Sequence, residues 1–385
     1  MHLARILRPA VPLFTLVLCA SSLAVSAQNN QDQENWKYPP PPLATNQYQQ
    51  TNLVSNASGV APVTDPNLIN PWGIARSSGG PWWISDNNSG LSTLYSGTGS
   101  IIPLVVTVPA ADPNSNMPGS PTGIVFNGSQ GFALAAGKPA LFLFVTEDGT
   151  ISGWNPGVQP TKAVIVVHQK KSVFKGATIA TVNTRQTGTQ TLLFVADFAK
   201  GKVEVFNSSF QRMPQWEEAF DADDIPYGFA PFNIQNIGGN LFVTYAKQDA
   251  SLQNEIDGPG LGFVRVYTAE GRPLLRLQHG AWMNAPWGVA VAPSDFGPFS
   301  HDILVGNFGS GWIAAYNPVT GKFLDYVRDA HGQIVTIDGI WGLSPGNDGK
   351  AGNATSIYFS AGSNHEQGGL FGTLTALQNP QGGGQ

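Results

Sequence analysis

The chain has 385 residues, a formal net charge of -5 and a single cysteine, with 45 Gly, 29 Pro, 10% aromatic and 12% charged residues. So much Gly and Pro with so few charges suits many short strands joined by tight turns, and no long amphipathic helical stretch accompanies it. Nor is there a basic cluster to neutralise phosphates, Lys170-Lys171 being the only adjacent pair, so nucleic acid is excluded as a partner.

In chain order, residues 1–27 read as an export signal. Arg5 and Arg8 precede a largely apolar run, and Val25-Ser26-Ala27 is a small-residue cleavage site. Cleavage would remove Cys19 and two Arg, leaving 18 basic against 25 acidic residues, no disulfide and no later membrane span. The expected location is secreted or periplasmic. Residues 28–46, rich in Gln, Asn and Pro, hold too little apolar surface to fold alone and read as a disordered linker.

From residue 47 a phrase returns. Its register mark is Gly73 in PWGIA, with equivalents Gly123, Gly176, Asn233, Gly288 and Gly342, which lie 50, 53, 57, 55 and 54 residues apart by subtraction. Each of the six copies then carries an apolar run, at 82–85, 141–145, 192–196, 241–245, 303–306 and 356–360, and a third after a Gly-rich turn. Most add a fourth, at 101–108, 163–168, 274–278 and 323–328. Four strands per copy are one blade of a β-propeller, so the fold expected for 47–378 is all-β, one six-bladed ring. Residues 379–385 are a polar tail.

The last copy has no fourth strand of its own. Residues 48–55 (YQQTNLVS) are expected to supply it, with Asn52-Leu53-Val54 beside 371–377, closing the ring and hiding its edges.

In such a ring the start of the inner strand and the end of the second strand lie at one face, around the channel mouth, where loops of several blades converge. That geometry gathers Asn70, Ser120, Asn284 and Asp338, then Asp86, Asn87, Glu147, Asp148, Asp197, Lys247, Asn307, Asn364, His365 and Glu366. Asp86, Glu147, Asp197 and Asn307 come from four blades and are hard oxygen ligands of the kind Ca²⁺ takes, so they form the candidate metal set; the same residue types also serve tight turns. Two long loops add Glu255 and Asp257, in 247–262, and Asn364, His365 and Glu366, in 363–367. His365 beside Glu366 is the candidate acid/base pair, against a plain turn. Trp72, Trp287 and Trp341 recur at one blade position and read as packing around the channel. Gly342-Leu343-Ser344-Pro345-Gly346 matches a nucleophile elbow only in letters, since no strand-to-helix turn is expected there.

The phrases PWGIA through Asp86-Asn87 and APWGVA through Gly306-Asn307-Phe308 resemble NHL repeats. Over 48–378, NLVSN at 52–56, DPNLINPWGIA at 65–75, DGPGLGFVRVY at 257–267, NAPWGVAVAP at 284–293, ILVGNFGSG at 303–311 and DGIWGL at 338–343 resemble an uncharacterised family of secreted bacterial NHL-like six-bladed propellers. That resemblance implies a fold and an export route without an assigned activity. Gluconolactonase-like and paraoxonase-like hydrolases are similar in ring type and imply a channel-mouth Ca²⁺.

Two functions stand side by side. The first is a monomeric binding or scaffold module that presents Asp86, Asn87, Asp197, Lys247, Glu255, Asp257, Asn307, Asn364 and His365 to a protein, glycan or small molecule. The second is a Ca²⁺-assisted lactonase or esterase in which His365 or Glu366 moves protons.

Overall fold

The structure, a computed structural model, describes residues 46–115, 117–184, 188–220 and 223–377. The export signal, the linker up to residue 45 and the tail from 378 lie outside the described residues. Six small sheets form the six blades of a β-propeller. Blade 1 runs from the inner strand Pro71–Ala75 through Trp82–Asp86 and Leu91–Tyr95 to Ile101–Thr107, and the later blades repeat that order.

Each blade is covered on both faces by its neighbours. The second strands Trp82–Asp86, Phe142–Thr146 and Ile303–Asn307 are therefore buried at every position, as expected of strands without a wet face. Large rings fill the wedges between blades: Trp83 of the first blade stacks on Phe142 of the second with centroids 4.1 Å apart. Adjacent inner strands approach closely at the register glycines. A Cβ on Gly73 would lie 2.6 Å from the Thr122 carbonyl, and one on Gly123 would lie 2.7 Å from the Ala177 nitrogen. The fourth copy has Asn233 there, whose amide donates to the Trp287 carbonyl at 2.8 Å.

Ring closure follows the expected pairing. Tyr48–Ser55 lies antiparallel to Leu370–Ala376, with Asn52 opposite Gly372 and Val54 opposite Phe371, and a bulge leaves Leu53 out of register. The short strand Val63–Thr64 adds beside Val54 and Ser55, so the last blade has five strands. The N-terminal strand also laces the last blade to the fifth: Tyr48 donates its hydroxyl to the Phe296 carbonyl at 2.9 Å, and Asn46 donates to Asp325 at 3.0 Å.

The third blade departs from the pattern. It has three strands, and the short helix Pro214–Glu217 with the turn Glu218–Phe220 follows where others place a fourth. Phe220 packs there against Phe194 and Tyr267. In the fourth blade the long loop is partly regular, since Glu255–Ile256 pairs with Lys247 and Gln248 as a hairpin extension.

Candidate functional site

The residue just before each register glycine points the same chemistry at the axis in most blades. Trp72, Phe232, Trp287 and Trp341 are all buried, and Trp72 stacks on Trp341 at 3.7 Å and meets Trp287 edge-on at 6.1 Å. Together with Phe198 and Phe308 they form an apolar plug across the channel, which bears out packing as the role of the three tryptophans. In the second copy the position is Thr122, whose hydroxyl donates to the Phe174 carbonyl at 2.7 Å. In the third copy it is Lys175.

Lys175 is the centre of the site. Its side chain is 2% exposed, and its ammonium sits 4.9 Å from the Trp72 ring centroid, 5.7 Å from that of Phe198 and 5.9 Å from that of Phe232. Glu147 accepts from Lys175 Nζ at 2.6 Å, and Glu255 lies 3.6 Å away. Burial opposes the charge on Lys175, but the attraction of Glu147 and then Glu255 outweighs it and holds its pKa above the ordinary lysine value.

Glu366 completes the cluster from the last blade. Asn70 donates its side-chain amide to Glu366 Oε1 at 3.3 Å, and accepts from the Trp341 indole at 3.1 Å. Asn88 donates to the Glu366 carbonyl at 2.7 Å, and Asn87 donates to Glu147 Oε2 at 2.9 Å. Burial first, then the nearby Glu255 and Glu147, push the Glu366 carboxyl up to about 7. Burial likewise raises the Glu255 pKa from its ordinary value, against the pull of Lys175. Glu366 can therefore take up or release a proton near neutral pH.

The turn that carries Glu366 is unusual. Asn364, His365 and Glu366 all have left-handed backbone, with φ of 53°, 52° and 63°, which costs a non-glycine residue on the order of 1–2 kcal/mol each. It directs Glu366 inward and leaves Asn364 and His365 exposed. His365 makes no hydrogen bond with the described residues, and the Asn364 main-chain N–H donates to the Asp338 carboxylate at 2.8 Å.

The ring thus brings together Glu147, Glu255, Glu366, Asn70 and Asn87 of the residues read from the sequence. It does not bring in Asp86, Asp197 and Asn307. Asp86 accepts from the Thr93 main-chain N–H at 3.0 Å, Asp197 from that of Lys200 at 3.2 Å, and Asn307 from that of Asn284 at 2.9 Å while donating to the Val305 carbonyl at 3.3 Å. These residues end second strands, one strand spacing of about 4.8 Å outside the inner strands, and cap their own blades. Of the four proposed calcium ligands only Glu147 reaches the centre, and among the described residues no group of three or more His, Cys, Asp or Glu is arranged to hold a metal ion. Lys247 reaches the Tyr227 carbonyl at 3.3 Å and lies over Phe229, and Asp257 is exposed.

Lys175 and Asn88 escaped the sequence reading. The signal for Lys175 was present, because a lysine stands where four of the other five copies carry an aromatic residue.

No family model matches the chain. It is 33% identical over 336 residues to uncharacterised protein L690 of Acanthamoeba polyphaga mimivirus, covering 85% of each chain. It is 32% identical over 344 residues to uncharacterised protein R648 of the same virus, covering 87% of this chain and 82% of that one. Among solved structures, a protein of unknown function from Bacteroides thetaiotaomicron superposes with a TM-score of 0.50 at 12% identity, over 85% of this chain and 76% of that one, a likeness of fold. These sequence relatives are viral, and a bacterial family finds no support in them. At such identity over most of its length, this six-bladed β-propeller belongs to the same family as the mimivirus proteins L690 and R648.

Proposed function

We propose that the protein is a binding module whose ligand docks at the channel mouth over Lys175, Glu147, Glu255 and Glu366. One observation carries this reading: Glu147 and Glu255 from two blades pair with a single buried ammonium, and Glu366 from a third blade lies near enough for both carboxylates to raise its pKa, so the site holds more acceptors than its one internal cation satisfies. The ligand class that fits is small and donor-rich, polyhydroxylated or amine-bearing, because hydrogen bonds to charged carboxylates are stronger than neutral ones. In this reading the repeats are of the NHL kind, and the protein is exported as a monomer after loss of residues 1–27.

A Ca²⁺-assisted hydrolase is the competing reading. The Lys175 ammonium already lies against Glu147, where such an ion would have to displace it.

The test is a melting-shift screen of polyols, sugars and primary amines on the purified protein and on Glu255→Gln and Glu366→Gln. Ligands that stabilise the parent and lose their effect in both variants support the site. Silence across the panel, or shifts that survive both changes, refutes it. A stoichiometric Ca²⁺ whose removal by EDTA lowers Tm would favour the hydrolase instead.

A further inference from the structure

The ionisable side chains at the channel mouth do not balance. Glu147 and Glu255 set two carboxylates against the single ammonium of Lys175, before Glu366 is counted. We propose that the ligand of this site is a small organic ammonium ion, which pairs with Glu255 and Glu366 and displaces a proton from Glu366 to solvent. The proposal rests on the docking reading above and narrows its ligand class to cations.

The protein's own donors go to Glu147. Its Oε1 accepts from Lys175 at 2.6 Å and its Oε2 from Asn87 at 2.9 Å. Glu255 is served differently. Its side chain is 10% exposed and Lys175 stands off at 3.6 Å; besides that ammonium and its own main-chain N–H, no described group donates to it. Carboxylates buried to this extent are normally met by hydrogen bonds, so Glu255 is an acceptor awaiting a donor the chain does not supply. Glu366 Oε1 has the Asn70 amide at 3.3 Å, but that nitrogen is shared with the Asn87 and Asn88 side-chain oxygens at 3.5 and 3.4 Å. Its Oε2 accepts from no described residue. Solvent reaches the cluster, since the Glu147 side chain is 27% exposed.

A primary ammonium carries three N–H donors and one positive charge, the two things this cluster lacks. A polyol brings donors without the charge. The charged groups that face Glu366 are Glu255 of the fourth blade, Glu147 of the second and Lys175 of the third. Its own turn adds His365, which is exposed, and Asp338 lies against Asn364. Burial and then Glu255 raise the Glu366 pKa to about 7, so at pH 6 the free site holds a proton there. An ammonium that takes the place of this proton leaves the total charge of the site unchanged.

Ethanolamine and ethylene glycol test the proposal, because they differ by an ammonium in place of a hydroxyl. By isothermal titration at pH 8 and constant ionic strength, ethanolamine is expected to bind at least about tenfold more tightly. Its affinity should fall by about tenfold per pH unit from pH 7 to pH 5. Titrations at pH 6 in two buffers of different ionisation heat should report release of close to one proton, and at pH 8 almost none. These readings use the unaltered protein. Glu366→Gln should weaken ethanolamine by about tenfold or more at pH 8 and remove most of the pH dependence. Glu255→Gln should weaken it similarly and move the pH dependence to lower pH, because Glu255 is the charge that raises Glu366 most. A merely structural loss would not move it. Ethanolamine that fails to saturate by about 10 mM overturns the proposal. So does ethylene glycol binding equally well, an affinity that stays flat between pH 5 and 8, or a Glu366→Gln variant with the parent's pH dependence. Sugars or polyols that bind through Glu255 and Glu366 while ethanolamine stays inert would overturn the preference for cations and leave the docking site standing. Silence from both classes would remove the docking site as well.

Discussion

The Lys175 ammonium and the Glu147 carboxylate meet at 2.6 Å between two blades of the ring, with the lysine almost wholly buried beneath the channel mouth. A charge so placed is tolerated because Glu147 and Glu255 face it and three aromatic rings lie within cation–π range. The same pair is what a substitution would expose.

Lys175→Met should destabilise the protein at pH 7.5 by about 3–5 kcal/mol, the usual cost of leaving a buried charge without its partner. The loss should shrink at pH 5, where the stranded carboxyls can take protons. Urea unfolding at both pH values reads this out, and an equal loss at both would contradict the account.

Glu366 sets a second pH dependence. Its folded pKa is raised from 4.5 to about 7, so between these values the folded state binds more protons than the unfolded chain. Stability from this group is therefore present below about 4.5 and lost as pH rises through about 7. Glu366→Gln should flatten that part of the stability profile between pH 5 and 8, measured as the urea midpoint. A variant with the parent's slope would remove Glu366 as its source.

Tyr48 is 1% exposed and stacks on Phe299 while bonding the Phe296 carbonyl. Tyr48→Phe should cost about 0.5–1.5 kcal/mol for the lost hydrogen bond. Tyr48→Ala should cost about 3–5 kcal/mol, as for other buried aromatic deletions. Thermal or urea denaturation distinguishes the two; near-neutral Tyr48→Ala would mean that ring closure does not depend on this anchor.

Gly288→Ala tests the close approach at the axis. The added methyl would collide with the Trp341 carbonyl of the next blade, so a loss of about 1–3 kcal/mol is expected from overpacking, read by Tm. An Ala as stable as the parent would show that the blades can part at no cost.

The blade count, the closing strand and the plug were legible because they come from repetition. Buried second strands are largely apolar, and a glycine stands where inner strands touch in five of the six copies, so nearly every copy states the same constraint. The third blade's helix at Pro214–Glu217 was not legible in this way, because it replaces a strand without disturbing the period. The candidate site was half legible. Loop length pointed to Glu255 and Glu366, and Glu147 was counted at the mouth, but for a shared calcium rather than for a lysine.

By itself the sequence determined an all-β ring of six repeats joined end to end, since local strand and turn patterning and a fixed period survive without knowledge of contacts. Only the tertiary structure decided which polar residues face the axis. Asp86 and Glu147 are alike as letters at the same mouth, yet one caps its own hairpin and the other meets Lys175 of the next blade. That choice depends on how far each side chain lies from the channel and on burial by neighbouring blades, quantities set by the closed ring as a whole.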